Sequence, residues 1–142
     1  MFGSAYVAGL IYDTASGLTA VTNVVADRID RRFHPQMAGG LVTPFMVYRM
    51  PFPALDDGPV GQPVDTQTIT FEISFFDDRA EVSRILPAAE ALHDALQGIK
   101  VTLDNGWQIT GGRTEELPDI DIELGLPFVR VGGTYQFTVV GG

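Results

Sequence analysis

The sequence predicts a single α+β domain spanning residues 1–142, with an antiparallel or mixed sheet and about two helices packed on one face. Three observations predict it. The 142-residue length suits one domain with its own core. Residues 68–75 alternate strictly between apolar and polar, which is the period of a strand with one dry and one wet face. Stretches of helical spacing lie before and after that strand, and an Asn-Gly turn follows between short apolar runs.

The elements follow in order. Residues 4–34 read mainly as helix. Ser4 is placed to cap its first turn, and Tyr6, Leu10 and Ile11 fall near helical spacing. Gly17 breaks the pattern, and Leu18, Val21, Val24, Val25 and Ile29 resume it, with Pro35 as the stop. Residues 44–50 read as a strand opening at Pro44, where a first-residue proline costs no ladder donor. Residues 51–66 hold four prolines, two glycines and Asp56, Asp57 and Asp65, and read as one long irregular loop. In Thr68-Ile69-Thr70-Phe71-Glu72-Ile73-Ser74-Phe75 every odd position is apolar.

A helix is expected from Asp77 and Asp78 onward, with Val82, Ile85, Leu86, Ala89, Leu92 and Leu96 on one face. Pro87 either kinks it or marks where its main body begins, and Gly98 ends it. Asp104-Asn105-Gly106 joins the short strands 101–103 and 107–109. Residues 111–127 read as an acidic loop, and alternation returns from Val129 to Val139.

The charge is lopsided, with 18 acids against 9 bases and a net charge of −9. Eight of the nine bases are arginine, and Lys100 is the single lysine. Broad neutralisation of a nucleic-acid backbone needs a basic face, so that class is excluded. An acidic passage could still let a polyanion slide without sticking. With no cysteine, the chain offers no disulfide, thiol nucleophile or cysteine-held metal. No apolar run approaches the ~18 residues of a membrane span, and Met1-Phe2-Gly3-Ser4 lacks the basic flank of a signal peptide, so a soluble cytoplasmic product is expected.

Residues able to carry chemistry are few. His34 abuts Pro35 and reads as a helix-end residue, while His93 lies at the edge of an apolar helical stripe. His93 reads as a half-exposed helix residue before it reads as a general base. There is no nucleophile elbow, phosphate-binding Gly-Lys-Ser/Thr or paired-histidine metal motif. No cofactor, metal site or catalytic residue is therefore expected.

Contact residues are the better candidates. Arg28, Arg31 and Arg32 recur at helical spacing and would share one face, as a solvated face or as an intersubunit contact. Asp56 and Asp57 mark the 51–66 loop, either a passive connection or a docking loop. Asp119, Asp121 and Glu123 alternate with Ile120, Ile122 and Leu124, and in extended chain would line one edge about 6–7 Å apart. Solvated or channel-facing acids, pairing to arginine on a neighbouring chain, and a hard-cation site are all open readings.

The order of these pieces resembles the tail terminator (tail-completion) proteins of long-tailed bacteriophages, the group related to the lambda minor tail protein U. The likeness is carried by the N-terminal helix running into Val25-Ala26-Asp27-Arg28-Ile29 and by Thr43-Pro44-Phe45-Met46-Val47-Tyr48, close to the family's Pro-aromatic-aliphatic-Val-Tyr strand. It continues through the alternating strand 68–76, the helix ending at Leu96-Gln97-Gly98 and the last strand 128–140. The 51–66 loop is longer and richer in proline than the family's usual loop, and 115–124 is more acidic.

The resemblance implies a virion structural protein without catalytic residues. Such a protein forms a homo-oligomeric ring, expected to be a hexamer, that caps the tail tube protein and stops polymerisation. It joins the tail to a head-tail connector or neck protein, and DNA passes through the bore without specific binding; no membrane is involved. The alternatives are another head-to-tail joining ring (a neck or head-closure protein) and a cytoplasmic ligand-binding α+β module. An enzyme built on His93 is a third.

Copies that each carry −9 repel one another, so ring contacts must be apolar or arginine-paired. Screening over about 8 Å at physiological salt relieves that repulsion. Self-association should therefore rise as salt is raised toward physiological strength, measured by sedimentation velocity across a salt series. Steady dissociation with added salt would mean that ion pairs hold the assembly.

Overall fold

In the computed structural model, which describes residues 3–31, 43–56, 66–78, 82–117 and 129–141, these residues form three helices and seven strands. In chain order they are α1 (Gly3–Gly17), α2 (Thr19–Val25), β1 (Ile29–Asp30), β2 (Phe45–Arg49), β3 (Leu55–Asp56), β4 (Thr66–Asp77), α3 (Leu86–Leu96), β5 (Ile99–Thr102), β6 (Gln108–Glu116) and β7 (Val129–Val140). The strands make one sheet in the order β1-β2-β4-β7-β6-β5, with β3 paired to the start of β4. Only β1–β2 is parallel, so the chain is an α+β domain with a mixed sheet, as expected.

β4 and β7 are the axis of the sheet. They pair antiparallel over their full length, from Thr66↔Val140 to Asp77↔Val129. Their helix-facing residues (Ile69, Phe71, Ile73 and Phe75 from β4; Tyr135, Phe137 and Val139 from β7) are all buried. Met46 and Tyr48 of β2 and Ile109 of β6 extend this layer on either side. Against it pack Val7, Ile11 and Ala15 of α1, Val21 and Val25 of α2, and Ala88, Leu92 and Leu96 of α3, each set at the four-residue spacing of one helix face.

Several boundaries differ from the sequence reading. The helix expected over residues 4–34 is two helices that end at Val25, because Ala26 takes φ +54° and Ile29–Asp30 turn into a strand. The apolar spacing there favours helix, but the β-branched Val24, Val25 and Ile29 weaken it, and pairing with β2 decides for strand at Ile29–Asp30. Ser4 is not the cap of α1; the Gly3 N–H donates to Oε1 of Gln67 on β4 at 3.0 Å. The stripe facing the sheet is Val7/Ile11/Ala15, one position on from Tyr6 and Leu10, and Tyr6 is exposed. The loop expected over 51–66 contains β3, and the loop expected from 111 is strand as far as Glu116.

Asp77 closes β4 and does not open a helix; α3 begins at Leu86 with Pro87 in its first turn, where a proline loses no hydrogen bond. The fully buried Asp77 carboxylate accepts both arms of the Arg84 guanidinium, the Nε bond at 2.8 Å. That fork ties the end of β4 to the approach to α3, and these bonds hold the Arg84 guanidinium above its ordinary pKa. Gly98 (φ +70°) ends α3 and Gly106 (φ +87°) shapes the turn between β5 and β6, both at expected positions.

The wet face expected for β4 is only partly wet. Thr70, Ser74 and Phe76 are buried, and Phe76 stacks on Phe45 across the β2–β4 pair at 5.1 Å, on the side away from the helices. At this end of the sheet both faces are therefore packed. Gly132 lies opposite Ser74, where a Cβ would collide with the Ile73 carbonyl oxygen and come within 2.8 Å of Ser74 Cα. Gly132→Val should lower stability by about 3 kcal/mol, the upper end of an overpacking cost. By contrast, Gly9→Ala should raise it by about 0.5–1 kcal/mol, since nothing lies within 4 Å of that position on α1. Urea unfolding midpoints check both.

Candidate functional site

Among the residues expected to make contacts, Arg28 and Arg31 are the two whose side chains are described, and they do not share a helix face. Arg28 follows α2 and works inward. Its Nε donates to the Pro44 carbonyl at 2.8 Å, its Nη2 to the Val24 carbonyl at 3.4 Å, and its own carbonyl accepts from the Met46 N–H at 2.9 Å. It is the clamp that brings the start of β2 against the end of α2. Arg31 follows β1 and is exposed, with its guanidinium carbon 6.0 Å from the Phe71 ring centre.

Asp56 ends β3, its backbone paired with Gln67. Arg32, Asp57, Asp119, Asp121 and Glu123 lie outside the described residues, as does His34. The expected juxtaposition of three arginines on a helix is thus replaced by one arginine used in folding and one on the surface.

The polar constellation that the fold does assemble lies where α3 crosses β6 and β7. Leu86, Ala89, Glu90, His93 and Asp94 of α3, Arg113 and Glu116 of β6, and Gly132 and Tyr135 of β7 line a half-open groove of about 340 Å³. Leu86 and Ala89 reach it because the buried face of α3 runs through Ile85, Ala88, Leu92 and Leu96. The expected stripe is therefore rotated, and its outer members become the apolar wall of the groove.

The groove floor is a phenol–imidazole pair. His93 Nδ1 lies 3.0 Å from the Tyr135 hydroxyl, 42 residues away in sequence. Burial raises the Tyr135 pKa to about 12; the nearby Arg113 cation offsets part of this, and the Asp94 carboxylate adds to it. The phenol therefore stays protonated at ordinary pH and can donate to Nδ1 whenever that nitrogen carries no proton. A protonated phenol beside an imidazole presents both hydrogen-bond donor and acceptor capacity to the groove.

Arg113 is placed by local backbone. Its N–H donates to Gln97 Oε1 at 3.0 Å, just past the end of α3, and its stem crosses β7 at Gly133, where a Cβ would sit 2.6 Å from Arg113 Cδ. A bulge between Arg113 and Glu115 follows, with Thr114 Oγ1 donating to the Thr134 carbonyl at 3.2 Å. The sequence places His93 at the stripe edge and Tyr135 inward; the β6–β7 register that sets Arg113 beside Tyr135 is the part it does not show.

Compared with known proteins, the sequence matches no protein-family model and no curated protein.

The Tyr135 shift has a consequence for stability. Its folded pKa lies above the ordinary tyrosine value of 10.0, so its contribution is complete below pH 10 and is lost as pH rises toward 12. Tyr48, also raised by burial, acts in the same direction. Unfolding free energy should therefore fall by about 2 kcal/mol or more across that window. Tyr135→Phe should flatten part of the fall, as read by urea titrations from pH 8 to 12.

Proposed function

We propose that this chain is a tail terminator: a structural ring subunit that caps the tail tube of a long-tailed bacteriophage, stops its growth and presents a surface to the head connector. The observation that carries the reading is the chain order itself. The pieces on which the resemblance rests fall into one domain whose described helices all lie on one side of the sheet: the N-terminal helix pair, the Pro44-led β2, the long β4, α3 and the closing β7. Away from the Phe45 and Phe76 end, such a sheet leaves the face opposite the helices to meet neighbours, as a subunit working by shape and surface contact requires.

The groove at His93 and Tyr135 favours a second reading, a small binding module for a polar ligand. The two readings separate in one assay. Purified protein added to polymerising tail-tube subunits encoded beside this gene should arrest tubes at a reduced length, with an annular density at one end in negative-stain images. Unchanged tube lengths, together with a strictly monomeric protein that retains a small molecule in native mass spectra, would favour the binding module.

A further inference from the structure

We propose that the open half of the sheet face turned away from the helices is the surface on which a second copy of this chain docks. The inference rests on the ring reading and names the contact that closes the ring.

The strand register assigns the residues of this face. One row crosses four strands as Leu55, Thr68, Thr138, Thr110 and then Lys100 on a fifth; the next runs Thr66, Val140, Gln108, Thr102. Gln108, Thr110 and Gln136 are exposed, and Leu55 and Val140 are large apolar side chains left 58% and 41% exposed. This half differs from the end holding Phe45, Val47 and Phe76, which is already buried. Apart from Lys100 its side chains are short or uncharged, and those on β4 and β7 lie on a twelve-residue strand pair that fixes their spacing. Such a surface loses little entropy when it is covered, and its one charge, Lys100, stands on the outermost strand β5.

Charge selects the occupant. The chain carries −9, yet the one charged residue that the register places on the open half, among the described residues, is the cation Lys100; Arg49, Arg130, Asp30, Glu72 and Glu115 lie in the rows toward the packed end. Arg49 and Glu72 are already paired, at 2.8 Å. The helix side is acidic by contrast; across the groove Glu90, Asp94 and Glu116 face a single Arg113. A basic partner would be drawn to the acidic side. A second, equally acidic copy is repelled there and meets no opposing net charge here, and residual repulsion beyond about 8 Å is screened at physiological salt. Ring closure by a head-to-tail contact needs one such face per subunit, meeting a different surface of the neighbour.

The test places two carboxylates on the face. Thr110→Glu with Gln136→Glu alters exposed side chains only, and Thr19→Glu, on exposed α2 surface, is the control. Thermal melts verify folding. Free protein is read by sedimentation velocity at physiological salt, and tube-bound protein by copies per tube end. The double variant should need at least tenfold more protein to associate, or leave fewer copies per end than a closed ring, while the control matches wild type. Association of the double variant equal to wild type overturns the docking face and leaves the ring reading standing. A wild type that neither associates nor arrests tubes overturns both.

Discussion

The full-length pairing of β4 with β7 is the constraint on which the rest of the molecule depends. It sets two twelve-residue strands in one register, and every other strand of the sheet joins one of them directly or through a neighbour. It fixes which side chains meet the helices, because a slip of one residue would turn Phe71, Phe75 and Phe137 to the other face. It also depends on Gly132, the one place where β7 passes too close to the β4 backbone for a Cβ. The groove and the open face are the two sides of this same register: Tyr135 points to one, Gln136 and Thr138 to the other.

Much of this was legible in the chain. Strict alternation over 68–75 marks the central strand, and Val129 to Val139 marks its partner, because period 2 is set by backbone geometry alone. The turn at Gly106 and the stop at Gly98 were equally plain, since both residues take positive φ. What could not be read was whatever tertiary pairing decides. Arg28 sits at helical spacing from Arg31, yet Ile29 and Asp30 pair with Met46 and Val47, and that strand contact outweighs a weak local helix preference. Gly-Gly-Arg-Thr-Glu-Glu at 111–116 has no strand signature; pairing with β7, joined by β5 at Gly111, makes it a strand. The burial of Ser74 and Phe76 depends on what lies over the second face, which no periodicity encodes.

The polar groove illustrates the same limit. His93 stands at the edge of a helical stripe, and Tyr135 alternates inward, so each was placed singly. Their contact spans 42 residues and exists because α3 lies across β7. The raised Tyr135 pKa then follows from its burial beneath that crossing. The Asp77–Arg84 fork is likewise structural: it seats the approach to α3, and with it one wall of the groove.

One edge of the sheet remains to be weighed. β5 has β6 on one side and no strand on the other among the described residues, so its outer N–H and C=O groups could template further strands. The chain's single lysine, Lys100, stands in the middle of that strand and is exposed. A bare ammonium there penalises fibril-like stacking of sheet on sheet, because each added strand would crowd or bury it. For a protein proposed to form a finite closed assembly, one cation at the rim is a guard against runaway growth, and it does this without altering a single core contact.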